Sequence, residues 1–152
     1  PNKGLFSSIC YNSNMTKKVI VSACLAGLNC RYDGDNKKRN DIVEMVKRGE
    51  AIPVCPEQLG GLSTPREPAE GVKEKVLTVS GRDVTFEYNK GAAEALLIAQ
   101  LTGATEALLK SKSPMCGAGL VYDGTFSGKM KEDDGIFTKL LKESSIKVTP
   151  VD

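Results

Sequence analysis

The apolar positions of this chain fall into two patterns that alternate along most of its length. Short runs rich in apolar, β-branched residues predict four buried strands, at 17–23, 51–54, 105–112 and 146–150. Stretches with a helical spacing of apolar residues predict three helices, at 41–49, 89–104 and 134–145. Strands that alternate with helices are typical of a parallel sheet covered by helices. We therefore expect a single α/β domain of the Rossmann-like, three-layer type.

Two segments interrupt this alternation. Residues 55–71 contain three prolines and three glycines, and an irregular segment of this length in a compact domain is usually functional or disordered. Residues 75–88 show strand-like alternation around the sequence SGRD, which predicts a β-hairpin inserted before the next helix. The sequence YDG occurs at 32–34 and at 122–124, and we expect tight turns there, with a glycine at positive φ.

The first fourteen residues differ from the rest of the chain. They lack periodicity and precede Met15, so we predict a leader at 1–14 and one domain over 15–152. The leader has no basic stretch followed by a long apolar one, unlike a secretory signal peptide, and its Cys10 is set aside as incidental. No apolar run approaches ~18 residues, so no transmembrane helix is expected.

Composition narrows the functional classes. Of the 152 residues, 40% are apolar and 26% charged, as is ordinary for a globular protein, and the net charge of +2 is too weak to indicate a nucleic-acid partner. The chain has no histidine, which excludes Ser-His-Asp triads, Cys-His dyads and Cys/His zinc sites. Nothing in the pattern indicates secretion, so we expect a cytoplasmic protein with reduced thiols.

Three cysteines stand where predicted strands end. Cys24 and Cys55 directly follow the first and second strands, and Cys116 follows the third after a short SPM turn. The carboxyl ends of parallel strands share one edge of the sheet, and open α/β sheets bind ligands at that edge. These three thiols can therefore converge in space. For any one of them alone, the alternative is a small buried apolar residue.

A group of three thiolates favours zinc, copper(I) or an iron–sulfur cluster. Structural zinc sites usually take four ligands from paired CxxC sequences, and this chain has no CxxC. Three cysteines on separate strand ends suit a [4Fe-4S] cluster with one open iron. Cys30 is left open as a fourth ligand. The alternative function is a zinc-binding or thiol-redox module that uses the same cysteines.

Polar residues beside the cysteines are candidates for proton transfer. Glu57 lies two residues after Cys55, and a carboxylate at the edge of a partly dry site can move protons; the alternative is an ordinary exposed loop residue. Ser113 lies three residues before Cys116, near enough to hydrogen-bond a ligand, or else it only forms the turn before the proline. Arg66 can pair with an anion or with a carboxylate inside its own loop.

Several sequence blocks carry a family resemblance, which runs from about Val19 to Val148. They occur in order as VSACLAGLNCRYDG, IPVCPEQLGGLSTPREPAE, GRDVT, GAAEAL, LLKSKSPMCGAGLVYDGTFSG and DGIFTKLL. In these blocks the chain resembles the DUF523 family, which includes thiouracil desulfidase. The blocks are specific rather than short and generic. The resemblance therefore indicates a function as well as a fold.

The resemblance implies an enzyme with an oxygen-sensitive [4Fe-4S] cluster held by three cysteines. The remaining iron takes the sulfur of a thiolated pyrimidine, and water replaces that sulfur without net redox change. Cys24 of SACL, Cys55 of CPE and Cys116 of SPMCG match the ligand motifs, while Glu57 of CPE and Ser113 of SPxC match active-site residues.

The resemblance also indicates a substrate class. Similar domains fused to a second domain act on 4-thiouridine in tRNA. The sequence printed here shows no such second domain, so a thiolated free base or nucleoside is the expected substrate and thiolated tRNA is the alternative.

Overall fold

The computed structural model describes residues 17–152, so the predicted leader at 1–14, with Cys10, lies outside the described residues. Strands and helices follow one another as β1 (Val19–Ser22), α1 (Asn40–Lys47), β2 (Ala51–Val54), α2 (Pro56–Leu59), β3 (Ala69–Val72), β4 (Lys75–Thr78), α3 (Thr85–Leu101), β5 (Glu106–Lys110), β6 (Leu120–Tyr122), β7 (Met130–Glu132), α4 (Ile136–Glu143) and β8 (Lys147–Val151). The four predicted strands and three predicted helices are all present. Among residues 17–152, no helix combines the length and the apolar character needed to cross a membrane.

The main sheet has four strands, all parallel, in the order β2-β1-β5-β8. The chain leaves β1 for β2 on one side and leaves β5 for β8 on the other, so the two connections diverge between β1 and β5. In open α/β sheets such a divergence opens a crevice at the carboxyl ends of the strands. The predicted α/β fold is confirmed, and this crevice is where a ligand is expected.

Helices cover both faces of the sheet, which explains why β1 is apolar on both sides. Ile20 lies in one core together with Tyr88 of α3 and Phe137 of α4. Val21, the next residue of β1, lies in a second core together with Ile42 of α1. The molecule therefore has the three layers that the sequence predicts, helix, sheet and helix.

The predicted hairpin at 75–88 is wrong in its second strand. β4 pairs antiparallel with the preceding strand, β3, and the chain from Thr85 onward belongs to α3. Asp83 accepts the backbone N–H of Thr85 at 2.9 Å, which satisfies the first N–H of the helix. Val84 and Tyr88 are both buried, four residues apart, as on one helix face. The apolar positions of a segment this short fit both the strand period and the helix period. Packing against the sheet favours the helix.

Two further elements fall outside the sequence-based prediction. α2 lies within the segment at 55–71, and it begins at Pro56, whose fixed φ suits the first position of a helix. β6 and β7 form a second antiparallel hairpin of three residues per strand, too short to produce a pattern. The turn between them contains the second YDG, where Asp123 accepts the N–H of Thr125 and Gly124 has φ of +94°, as predicted.

Two glycines let α2 lie directly on the backbone of α3. A Cβ atom added to Gly91 would stand 1.7 Å from the carbonyl oxygen of Pro56, and one added to Gly60 would stand 1.9 Å from the carbonyl oxygen of Glu87. Neither position has room for a methyl group. This contact fixes α2, which carries Glu57, against the helix that carries Tyr88.

Replacing Gly91 by alanine is expected to destabilise the protein by about 1–3 kcal/mol. Overpacking typically costs ~1–3 kcal/mol, and a Cβ only 1.7 Å from the Pro56 carbonyl oxygen places the cost at or above the upper end. The net loss remains after the ~1 kcal/mol by which alanine favours a helix is subtracted. Equilibrium denaturation of the purified protein measures the effect. Gly71→Ala is the matched control, because a Cβ there meets no atom within 4 Å. Equal stability of the two variants would contradict the close contact between α2 and α3.

Candidate active site

A cavity of about 580 Å³ opens at the carboxyl edge of the main sheet. The final residues of three strands line it: Ser22 of β1, Val54 of β2 and Lys110 of β5. The cavity is also lined by the cysteines of the described chain, namely Cys24, Cys30, Cys55 and Cys116. The structure thus brings the three thiols that follow strands into one cavity, together with Cys30.

Cys24 and Cys55 are held by turns that directly follow their strands. Cys24 lies in a 3-10 turn, Ala23–Ala26, which ends at Gly27 with φ of +97°, a conformation that favours glycine. Cys55 immediately precedes α2, and its carbonyl oxygen accepts the N–H of Leu59 at 3.0 Å. Both positions are therefore set by backbone geometry rather than by contacts of the thiols themselves.

Cys116 lies in a tighter turn after β5, and Ser113 builds that turn. The Ser113 hydroxyl oxygen accepts the backbone N–H groups of Met115 and Cys116, each at 3.1 Å. From the other side, the Thr138 hydroxyl of α4 donates to the carbonyl oxygen of Cys116 at 2.9 Å. Ser113 therefore has the turn-forming role that was its alternative, and it also lines the cavity.

Burial governs the ionisation of these thiols. It raises the pKa of Cys116 well above its ordinary value, although a hydrogen bond with the Ser22 hydroxyl opposes the shift. Burial, and then the neighbouring Cys55, raises the pKa of Cys24 to about 11. A hydrogen bond between the thiols of Cys30 and Cys55 lowers the pKa of Cys55 and raises that of Cys30. Burial thus opposes the thiolate forms of Cys24 and Cys116, and a bound metal centre would offset this penalty.

The donor set fits an iron–sulfur cluster. Cysteine thiolates are the usual ligands of [4Fe-4S] clusters, and each binds a different iron. Three thiols distributed around one cavity match that arrangement. A single zinc ion instead gathers four ligands around one point, and residues 17–152 contain no group of three or more Cys, His, Asp or Glu side chains placed to hold one ion.

Glu57 lies in the same cavity, and both of its carboxylate oxygens are engaged. The Tyr88 hydroxyl of α3 donates to Oε1, and the Arg66 guanidinium donates to Oε2 through Nη2. The side chain of Arg66 is only 4% exposed. Arg66 therefore pairs with a carboxylate inside its own loop, one of its two predicted roles, and Glu57 is not an ordinary exposed loop residue.

Arg66 also connects Glu57 to the cysteine loops. Its Nη2 donates to the carbonyl oxygen of Cys30 at 2.8 Å, and its backbone N–H donates to the carbonyl oxygen of Tyr32 at 2.8 Å. The same carbonyl of Cys30 lies 3.8 Å from the Cys55 sulfur. One buried guanidinium thus links the carboxylate of Glu57 to the loop after β1 and to the thiol that follows β2.

Two polar residues of the site are missed by sequence reasoning. Tyr88 is buried and aims its hydroxyl at Glu57, and burial raises its pKa well above the ordinary value. It falls within the segment predicted as a hairpin, which hides its position on a helix. Ser22 ends β1 and reads as part of an apolar run. A buried hydroxyl needs a hydrogen-bond partner. A tyrosine expected to be buried should therefore pair with a polar side chain, and this requirement is the signal that could have identified Tyr88.

Comparisons with known proteins show what the chain is similar to. The family model described as 2-thiouracil desulfurase matches residues 19–152. A protein of Bacillus subtilis (strain 168), described as uncharacterized protein YbbK, is 44% identical over 140 residues, which are 86% of this chain and 93% of that protein. A solved structure of the [4Fe-4S]-dependent thiouracil desulfidase TudS (DUF523Vcz) is 45% identical with a TM-score of 0.84, and the match covers 88% of this chain and 90% of that chain.

Proposed function

This chain belongs to the 2-thiouracil desulfurase family, and we propose that it is a [4Fe-4S]-dependent desulfidase that acts on a thiolated pyrimidine. In the reaction, the ring C=S group and one water become a ring C=O group and hydrogen sulfide, so no electrons are gained or lost. The observation that carries the proposal is the convergence of Cys24, Cys55 and Cys116 on one cavity beside the paired carboxylate of Glu57. The likeness to a solved [4Fe-4S]-dependent thiouracil desulfidase supports it.

Cys24, Cys55 and Cys116 are the proposed cluster ligands. When bound, the cluster supplies an iron with an open position, a Lewis acid toward the sulfur of the substrate. Cys30 stays outside the proposed ligand set, because it does not follow a strand of the main sheet and the three cysteines that do follow strands already provide three ligands.

Glu57 is the proposed general base. Arg66 and Tyr88 each hold one of its oxygens, which fixes the orientation of the carboxylate. A carboxylate offers about four lone-pair sites, so Glu57 can still accept a proton from the water that attacks the ring carbon. Arg66 and Tyr88 act through Glu57 and are positioning residues.

Ser113 is the proposed hydrogen-bond donor to the substrate. Its oxygen already accepts two backbone N–H groups, so its own O–H proton remains to be donated. The residue lines the cavity, where that proton can reach the departing sulfur or the new ring oxygen. The turn that holds Cys116 therefore also aims Ser113.

The dimensions and walls of the cavity support a small substrate. Its volume of about 580 Å³ lies within the ~300–1,000 Å³ typical of small-molecule sites. Tyr32, Tyr122 and Phe126 line it and offer aromatic faces to a pyrimidine ring. We therefore propose a thiolated base or nucleoside as the substrate. Thiolated tRNA remains the alternative, and a strongly salt-dependent affinity for tRNA would favour it.

Anaerobic reconstitution with iron and sulfide tests the proposed function. We expect about four irons and four sulfides per chain and a broad visible absorption. The loaded protein is then mixed with 2-thiouracil or 4-thiouridine, and release of sulfide in equal amount to the oxo-pyrimidine is expected. Bound zinc without iron would support the zinc-binding alternative, and paired thiols would support the redox module. A fully loaded protein that releases no sulfide would overturn the proposed reaction.

A further inference from the structure

A second buried carboxylate lines the cavity, and the proposed mechanism does not use it. Glu70 lies in β3 and is 7% exposed. Its Oε2 accepts the backbone N–H groups of Gly124 at 2.8 Å and Phe126 at 3.1 Å. Its Oε1 has no hydrogen-bond partner among residues 17–152. Among residues 17–152, Arg66 Nε is the only buried side-chain N or O atom without a hydrogen-bond partner. The Oε1 atom of Glu70 is therefore reached by solvent, and it can accept a donor that a ligand brings into the cavity.

The surroundings of Glu70 differ from those of Glu57. Glu57 is paired with the guanidinium of Arg66, whereas none of the ion pairs within residues 17–152 includes Glu70. The donors on Glu70 are backbone N–H groups that occupy one oxygen only. Glu70 is therefore not held by a cation, as Glu57 is. It is also not part of a structural ion pair among these residues.

Glu70 also fixes the wall of the cavity. The loop between β6 and β7 lies so close to β3 that a Cβ on Gly124 would stand 2.5 Å from the carbonyl oxygen of Gly71. The backbone N–H groups of Gly124 and Phe126 donate to Glu70, and these hydrogen bonds hold the loop in place. Tyr122 and Phe126 line the same cavity as Glu70. The carboxylate thus lies beside the aromatic side chains that suit the faces of a pyrimidine ring.

We propose that Glu70 is a specificity-determining residue, whose Oε1 accepts the ring N–H adjacent to the thiocarbonyl of the substrate. The inference rests on the proposed function and names the hydrogen bond that selects its substrate. Uracil-type rings carry an N–H donor beside the C=S or C=O group, and a carboxylate makes a strong, charge-assisted bond to it. A substrate that lacks this proton leaves Oε1 without a donor, and sites built on such bonds discriminate strongly.

Glu70→Gln tests the proposal because it replaces one hydrogen-bond acceptor with a donor. The glutamine oxygen can still accept the N–H groups of Gly124 and Phe126, while its NH₂ group replaces the acceptor that faces the cavity. For 4-thiouridine, we expect kcat/KM to fall roughly 10²–10³-fold, as when two donors face each other in a buried site. For N3-methyl-4-thiouridine, which has no ring N–H, the same variant should change kcat/KM by less than about tenfold.

The comparison of two substrates separates recognition from structure. Equal losses on both substrates would mean that Glu70 only holds the loop, and the proposal would be overturned. Glu74→Gln is the matched control, because Glu74 is an exposed carboxylate in the turn between β3 and β4 and does not line the cavity. Its kcat/KM should stay near that of the unmodified chain. A loss there as large as for Glu70→Gln would also overturn the proposal.

Binding of the oxo-product provides a readout that needs no turnover. Uridine carries the same ring N–H, so calorimetric titration of the protein should show weaker uridine binding by Glu70→Gln and unchanged binding by Glu74→Gln. If Glu70-dependent binding is seen but no thiobase is desulfurised, the proposed function fails and the recognition role stands. If desulfurisation is seen and Glu70→Gln binds uridine normally, the recognition role fails and the function stands.

Discussion

Cys116→Ala is expected to prevent cluster assembly and, with it, all desulfidation. Cys116 is one of the three cysteines that follow strands and line the cavity, and hydrogen bonds with Ser113 and Thr138 fix its turn. A cluster held by two thiolates lacks the ligands that retain it. Iron and sulfide content and visible absorption after anaerobic reconstitution measure the loss. The same result is expected for Cys24→Ala and Cys55→Ala.

Cys30→Ala is the matched control, since it removes a thiol from the same cavity. We expect about four irons per chain to be retained, because Cys24, Cys55 and Cys116 are the three proposed ligands and Cys30 is not one of them. If Cys30→Ala loses as much iron as Cys116→Ala, then Cys30 belongs to the ligand set. If Cys116→Ala reconstitutes fully, the proposed ligand set is wrong.

The convergence of the cysteines could be predicted from the sequence because it depends on local signals. Each strand of the main sheet is a short apolar run, and Cys24 and Cys55 follow such runs directly. Once the strands are parallel, their carboxyl ends must meet at one edge. The convergence of the thiols thus follows from pattern and topology, without knowledge of any side-chain contact.

The hydrogen bonds that hold Glu57 could not be predicted from the sequence, because they join residues that are distant in the chain. Tyr88 is thirty-one residues from Glu57, and its segment fits a strand as well as a helix until packing against the sheet decides. Arg66 has several polar partners within reach, and only the folded loop shows that it bonds Glu57 and the Cys30 carbonyl together. The strands of the β6–β7 hairpin are too short to show a periodic pattern. The hydrogen bond from the Phe126 N–H to Glu70 therefore could not be predicted from the sequence either.

Glu57→Gln is expected to slow desulfidation roughly 10²–10⁴-fold, the usual contribution of a general base, while the cluster content stays unchanged. Glutamine can still accept from Arg66 through its oxygen and donate to the Tyr88 oxygen, so the local arrangement survives while the proton acceptor is lost. Single-turnover sulfide release by the loaded variant measures the effect. Iron content and visible absorption, taken on the same sample, show that the thiol ligands are intact.

Two further variants keep this prediction decisive. Glu57→Gln leaves Arg66, whose side chain is 4% exposed, without its counter-charge, and breaking a buried pair costs about 3–5 kcal/mol. Glu57→Asp keeps the negative charge and replaces Glu57→Gln in the experiment if that variant is too unstable. Tyr88→Phe removes only the hydroxyl that orients Glu57, so its rate should fall less than that of Glu57→Gln. A loaded Glu57→Gln protein with an undiminished rate would show that the attacking water gives its proton to another group, and Ser113 would then be the residue to test.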